Sequence, residues 1–228
     1  NSIARTRGME EVLMDLIDGN EVYLEIMQAR FDFYYNTHKY MLEAADGLID
    51  FMHVGDDLGT QLGPMISMDI FEKYFVPKYK KYFEMVHSFG SRTMMHMCGC
   101  VHDFLPRLIE IGLDVYDVVQ PTTQAMQIEN LKKFVGDKIV FQGSMCVQST
   151  LAWGTPRQVE DDVEKRLKLF PKGGLFLGPT HAIQVGSPLE NILAMYRKAA
   201  SLTENITDEI LSIQDNTNNE KINLSKLF

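Results

Sequence analysis

Residues 90–121 read GSRTMMHMCGCVHDFLPRLIEIGLDVYDVVQP, and their spacing decides the fold. Gly90 ends the segment before it. Arg92–Met97 is a short strand-like run, Val101–Ile111 has helical periodicity and is closed by Gly112, and Val115–Gln120 is a second run stopped by Pro121. A strand, a helix and a strand of these lengths make a crossover between two parallel strands.

The same unit repeats on both sides. Toward the N-terminus, Gly8–Ile17 and Glu21–Ala45 are amphipathic helices separated by Asp18-Gly19-Asn20, a stop followed by an N-cap. Leu48–Val54 then reads as a buried strand, a loop spans Gly55–Ile66, and Ser67 caps a helix over Met68–Phe89. Toward the C-terminus come a helix Ile128–Val135 closed by Gly136, a strand Lys138–Gln142 and a helix begun by Thr155-Pro156 and running to Phe170. A strand Gly174–Gly178 and a helix Pro188–Leu202 follow, the latter with Ser187 and Glu190 placed as a capping box. Five strands, starting near 48, 92, 115, 138 and 174, alternate with helices, so the class is α/β with a parallel sheet. A closed (β/α)8 barrel needs eight strands and about 250 residues. A doubly wound sheet usually brings a Gly-rich phosphate loop after its first strand, whereas the acids in Gly55–Gly63 (GDDLGTQLG) would repel a pyrophosphate.

Composition narrows the function classes. The chain has 228 residues, 22 Lys plus Arg against 31 Asp plus Glu, and a formal charge of −9. That sign is wrong for tracking nucleic acid or an anionic membrane. No apolar run reaches the 18 or so residues that span a bilayer. Three cysteines, two of them one residue apart, cannot make a secreted disulfide framework, so a reducing, cytoplasmic setting is expected. Asn1-Ser2-Ile3-Ala4-Arg5 is neither a signal peptide nor an initiator start, and the chain is expected to begin inside a longer one. Residues 1–202 read as one domain. Residues 203–228, rich in Asn, Asp, Glu and Ser, read as a polar extension with one more short helix (Ile206, Ile210, Leu211, Ile213) and a mobile tail after Gln214.

The chemistry-bearing residues gather at the C-terminal ends of the strands, where barrels build their active sites. Asp56 and Asp57 follow the first strand, His96 and Cys98 end the second, Gln120 the third, Gln142 the fourth, and His181 follows the fifth. His96-Met97-Cys98 is the sharpest signal. Residues i and i+2 of a strand point the same way, so an imidazole and a thiolate could grip one metal, and that pair selects zinc. His181, with Asp56 or Asp57, would complete the ligand set. The alternatives are a hydrogen-bonded barrel histidine and a small apolar cysteine, and for the acids a solvated carboxylate beside a loop cap. Cys100 is a second candidate ligand or a redox thiol, and Cys146 reads as packing. Lys78, Lys80 and Lys81 with Tyr79 and Tyr82 read as a wet helical face.

Taken in order, Gly55-Asp56-Asp57-Leu58-Gly59-Thr60-Gln61, Phe71–Tyr79 (FEKYFVPKY), His96-Met97-Cys98-Gly99, Val119-Gln120-Pro121 and Gly178–Gln184 (GPTHAIQ) with Pro188–Ile192 (PLENI) resemble the uroporphyrinogen decarboxylase superfamily. Within it they are most similar to the cobalamin- or corrinoid-dependent methyltransferases and related O-demethylase components. The resemblance covers roughly residues 8–202. It implies a (β/α)8 barrel to which this chain contributes strands four to eight, with Asn1 just after strand three.

Two chemistries follow from the resemblance. The methyltransferases carry zinc on a His-x-Cys pair, matched by His96 and Cys98, and on a later Cys, whose place His181 takes here. The implied function is methyl transfer between a small methylated donor or thiol acceptor and a corrinoid carried by a partner protein, with zinc acting on the substrate heteroatom. Asp57 and His181 are then the candidate catalytic residues, with Asp57 a fourth ligand or substrate anchor; Asp56, Gln120 and Gln142 are substrate contacts. The decarboxylases act on a tetrapyrrole without metal or cofactor. Of their later residues the His after the last strand matches His181, while their Asp-Ser-Trp is Asp56-Asp57-Leu58 here. A third expectation is a non-catalytic remnant or binding module. Five strands leave two open edges, which call for a missing half or a homo-oligomer.

Overall fold

The computed structural model describes residues 3–216, with side chains through 202. Helices α1 (Ala4–Arg7), α2 (Met9–Asp18) and α3 (Glu21–Ala45) precede strand β1 (Phe51–Gly55). Helix α4 (Met68–Ile70), one π turn (Phe71–Phe75) and α5 (Val76–Ser88) lead to β2 (Arg92–His96). A 3-10 turn (His102–Phe104) and α6 (Leu105–Glu110) lead to β3 (Val115–Val119), and α7 (Ile128–Val135) to β4 (Val140–Met145). Then come α8 (Thr150–Trp153), α9 (Pro156–Leu169), β5 (Leu175–Pro179) and α10 (Leu189–Asn216). The strand order is β1-β2-β3-β4-β5, each strand beside its successor in the chain. The class is α/β with a parallel five-stranded sheet, the pattern of consecutive units of a (β/α)8 barrel.

Local chemistry sets the element ends. Asn20 accepts the Tyr23 N–H at 3.1 Å and caps α3 as expected. The π turn sits where Pro77 follows: a proline inside an α-helix clashes with the carbonyl four residues back, and the wider turn before α5 relieves it. Thr155 caps α9 in a capping box with Gln158. The capping box expected at Ser187 and Glu190 does not form; the helix starts at Leu189, and the buried Ser187 hydroxyl has no partner among the described residues. Helix α10 runs on through residues 203–216, where a separate short helix was expected. Of the tail expected after Gln214, Asp215 and Asn216 belong to α10, and the rest lies outside the described residues.

Two compact units divide the chain. One holds the described residues through Asp117 together with Phe134–Ile139; the other holds Val118–Lys133 and the described residues from Val140. In the first, Phe71 stacks on Phe104 at 4.1 Å, and Phe83, Val86, Leu105 and Leu108 are fully buried, each stabilising by about 1.5–3 kcal/mol. Its register pairs Gly55 with His96 and His96 with Asp117, one row of residues across three strands. In the second, Met145, Val147, Leu151, Val159, Val163 and Met195 pack together. There the buried Arg166 donates from Nε to the Ser144 carbonyl at 2.9 Å and pairs with Asp162 at 2.7 Å. This holds the end of β4, where Ser144 takes the left-handed conformation (φ 75°) that a side chain disfavours. Among the described residues no helix is long and apolar enough to cross a membrane.

Candidate functional site

Strand β3 is buried along its whole length, and Asp117 is its one ionisable side chain besides the phenol of Tyr116. A carboxylate in such a strand must be paired. Its Oδ2 meets His96 Nδ1 at 2.8 Å and His53 Nε2 at 2.9 Å. The other nitrogen of His96, Nε2, faces Cys98 Sγ at 3.1 Å. Asp117, His96 and Cys98 thus form a line in which the carboxylate fixes the ring and the ring addresses the sulfur. Those contacts push His96 up to about 10, through the hydrogen bond to Asp117 first and that to Cys98 second, against the opposing effect of burial. Burial alone would raise Asp117, but the hydrogen bonds of His53 and His96 outweigh it and bring the carboxyl down to about 2.

The loops after β1 and β2 are fastened to each other. Asp57 Oδ1 accepts the Cys98 backbone N–H at 2.9 Å and lies 4.0 Å from His96 Nε2. The Cys100 N–H donates to the Thr60 carbonyl at 2.7 Å. Between these bonds Gly59 and Gly99 lie backbone to backbone: a Cβ on Gly59 would sit 2.6 Å from the Cys98 carbonyl, and one on Gly99 2.6 Å from Gly59 itself. Gly59 and Gly99 are therefore required by close approach.

Asp56 has a different role from its neighbour. Its Oδ2 accepts from the Tyr79 hydroxyl at 2.8 Å, and its N–H donates to the His96 carbonyl at 3.0 Å. Both acids line a cavity of about 560 Å3 within the first unit, together with Tyr23, Tyr79, Lys78 and His53. Burial, then the Asp56 charge, holds the Tyr79 phenol well above its ordinary range, so it stays a donor. Tyr23 is pushed up to about 12 by the same two causes.

The structure thus brings together Asp56, Asp57, His96 and Cys98 of the expected site. Cys100 is buried and joins no metal-capable cluster among the described residues. In the second unit, Gln120 is buried and donates to Gln148 at 2.9 Å, Gln142 is half-buried with its carbonyl oxygen unpartnered, and His181 is exposed in the turn after β5. That turn is held by Thr180, whose N–H donates to the Met145 carbonyl at 2.9 Å while its hydroxyl accepts from Val147 at 3.1 Å. Sequence reading missed Asp117 and placed Tyr79 and Tyr82 on a wet face; Tyr82 is buried and bonded to His38 at 2.7 Å. The signal for Asp117 was present: an acid inside VYDVV contradicts the apolar run expected of a parallel strand.

Imidazole, thiolate and carboxylate are a fitting donor set for zinc. Ordinary Zn–N and Zn–S bonds at a tetrahedral angle put N and S about 3.5 Å apart, close to the 3.1 Å here. A carboxylate behind the ring and a sulfur ahead of it stabilise a cation at Nε2, whether a proton or a metal. His53, His96 and Asp117 also bring one ligand atom each within 4.8 Å of one another.

A family model for uroporphyrinogen decarboxylase (URO-D) matches residues 3–202. Among solved structures, a methyltransferase from Methanosarcina mazei superposes with a TM-score of 0.66 at 18% identity. The match covers 85% of this chain and 53% of that one, so this chain spans about half its length. That likeness is one of fold. No curated protein matches the sequence.

Proposed function

Because this chain belongs to the uroporphyrinogen decarboxylase family, we propose that it serves zinc-assisted methyl transfer between a small methylated donor, or a thiol acceptor, and a corrinoid carried by a partner protein. What supports the reading is the line Asp117–His96–Cys98, with its carboxylate on Nδ1 and its sulfur facing Nε2. A decarboxylase that works without metal has no use for a thiol addressed by an oriented imidazole.

In this reading His96 and Cys98 hold the metal with His181, and Asp57 is a fourth ligand or substrate anchor. Bound zinc would supply Lewis acidity toward the oxygen, nitrogen or sulfur that loses or accepts the methyl group. The rest belongs to the chain. Asp117 fixes the His96 ring so that Nε2 faces the sulfur. Asp57 fixes the Cys98 backbone. Tyr79 holds Asp56 at the cavity wall, and Gln120 and Gln142 contact the substrate.

Metal analysis of the purified protein tests the reading. About one zinc per chain is expected, falling at least tenfold in His96→Ala and Cys98→Ala. A content below roughly a tenth of a zinc in the unaltered chain would sink it. Porphyrinogen turnover that survives Cys98→Ala would instead favour tetrapyrrole decarboxylation, the reaction for which the family is named.

A further inference from the structure

His53 has no part in the methyl-transfer reading. It lies two residues before Gly55, which is level with His96 and Asp117 across the sheet, so its side chain projects from the same face as theirs. Three neighbouring strands thus bring His53 Nε2, His96 Nδ1 and Asp117 Oδ2 within 4.8 Å of one another. The two rings stand edge to face, 85° apart, and both address one carboxylate oxygen, at 2.9 and 2.8 Å. To orient His96, one carboxylate behind its ring is enough. A second imidazole on the same oxygen, on a side chain 53% exposed, calls for another account.

Two histidines and one carboxylate are the facial set that binds six-coordinate divalent iron. The spacing agrees with it. Bonds of about 2.1 Å at right angles put adjacent donors about 3.0 Å apart, against about 3.4 Å at a tetrahedral angle, and the contacts here are 2.8 and 2.9 Å. Without metal, N–H groups of the two rings hold the carboxylate at that spacing; a cation displaces those protons. The cavity of about 560 Å3, whose wall includes His53, gives entry and leaves the remaining positions to water. All three donors lie in the first unit.

We propose that His53, His96 and Asp117 form a second metal seat, on the opposite side of the His96 ring from Cys98, for a six-coordinate divalent cation of the manganese, iron or cobalt kind. Its donors are harder than an imidazole and a thiolate, so it draws different metals. A neutral imidazole has one bare nitrogen, and the two seats are therefore alternatives. Metal on Nδ1 leaves the His96 proton on Nε2, facing the sulfur; metal on Nε2 leaves it on Nδ1, facing Asp117. The inference stands apart from the methyl-transfer reading, which concerns the Cys98 side of the ring.

Cobalt(II) titration of the metal-free full chain tests it, because a thiolate ligand gives cobalt a near-ultraviolet charge-transfer band and a seat without sulfur does not. Cys98→Ala should still take up about one cobalt per chain, with weak visible bands and no thiolate band. Adding His53→Ala should weaken that binding at least tenfold while the circular-dichroism melt stays cooperative. Should Cys98→Ala not fold, manganese(II), which favours oxygen and nitrogen over thiolate, is titrated into the unaltered chain and into His53→Ala and read by electron paramagnetic resonance; the same tenfold loss is expected. An unaltered chain that binds cobalt with no thiolate band, and loses it in His53→Ala, would sink the methyl-transfer reading and leave this one standing. A Cys98→Ala chain that folds but binds no cobalt at about 1 mM metal, or metal binding indifferent to His53→Ala, would overturn the proposal: the two imidazoles would then be hydrogen-bond partners of Asp117 and nothing more.

Discussion

Asp117 and Gln142 are each the third residue of their strand, each a polar side chain among apolar neighbours, and they have opposite fates. The Asp117 carboxylate is met by two imidazoles, and through His96 it is linked to Cys98. The Gln142 carbonyl oxygen is buried with no hydrogen-bond partner among the described residues. The first region spends its polar groups on one another and holds a fixed geometry. The second keeps an unmade hydrogen bond, which costs about 1–3 kcal/mol and is sensible only where something else supplies the donor. The first is a preorganised cluster, and the second is an acceptor left open.

The largest break of that comparison is Asp117→Asn. It removes the charge that two histidines share. Breaking a buried pair costs about 3–5 kcal/mol, and the lower end, about 3 kcal/mol, is expected because the His53 side chain is 53% exposed. Urea unfolding measures it. Metal affinity should fall about 10- to 100-fold, as for other losses of the carboxylate behind a ligating histidine. An unchanged midpoint would mean that the network carries no stability.

The same pair predicts a pH profile for the metal-free protein. His96 is raised from about 6.5 to about 10, so its contribution is full below about pH 6.5 and is lost as pH rises through about 10. Asp117 is lowered from about 3.9 to about 2, so its contribution is full above about pH 4 and is lost as pH falls through about 2. The network therefore stabilises most between roughly pH 4 and 6.5. The unfolding midpoint should decline on both sides, and Asp117→Asn should flatten the alkaline limb. A wild-type midpoint that is level from neutrality to about pH 10 contradicts the assignment. Gln142 does not titrate, so nothing comparable is expected of the second region.

A smaller effect is expected where the two loops touch. In Gly59→Ala the new methyl meets the Cys98 carbonyl at 2.6 Å and the Cys100 amide at 2.8 Å. Both obstacles are backbone, so the loops must part, at about 2 kcal/mol by the range for overpacking. Parting them also moves Cys98 away from Asp57. Thermal melts and zinc content should therefore fall together; loss of stability with full zinc occupancy would separate the loop contact from the site.

The strand and helix pattern was legible because parallel strands and their crossover helices differ in period, and because glycines and prolines punctuate them. His96 and Cys98 were legible because residues two apart on a strand share a face. Asp117 was passed over because a run such as VYDVV is read by its majority. Tyr79 and Tyr82 were misplaced because the consecutive helical residues 78–82, at about 100° each, span a whole turn and cannot share one face; Lys80 and Lys81 are exposed, Tyr79 is half-buried and Tyr82 is buried. Ser187 and Glu190 had capping-box spacing, but the hydroxyl is buried and unbonded, and spacing alone cannot reveal that.

The smallest expected effect on stability is the most informative about the second region. Gln142→Met keeps the length of the side chain and removes both amide groups. Were the amide held by the protein, the change would forfeit a hydrogen bond and cost about 1 kcal/mol. Because the carbonyl is buried without a partner, the substitution should leave the urea midpoint unchanged or raise stability by up to about 1 kcal/mol. Zinc content should stay at the wild-type level, since His96 and Cys98 are untouched. If Gln142 reads the substrate, the same variant should raise the KM for the methyl donor or acceptor severalfold, so that stability and recognition move in opposite directions. A variant that is both less stable and unaltered in KM would show that the acceptor serves the fold. The contrast with Asp117 would then be one of packing rather than of function.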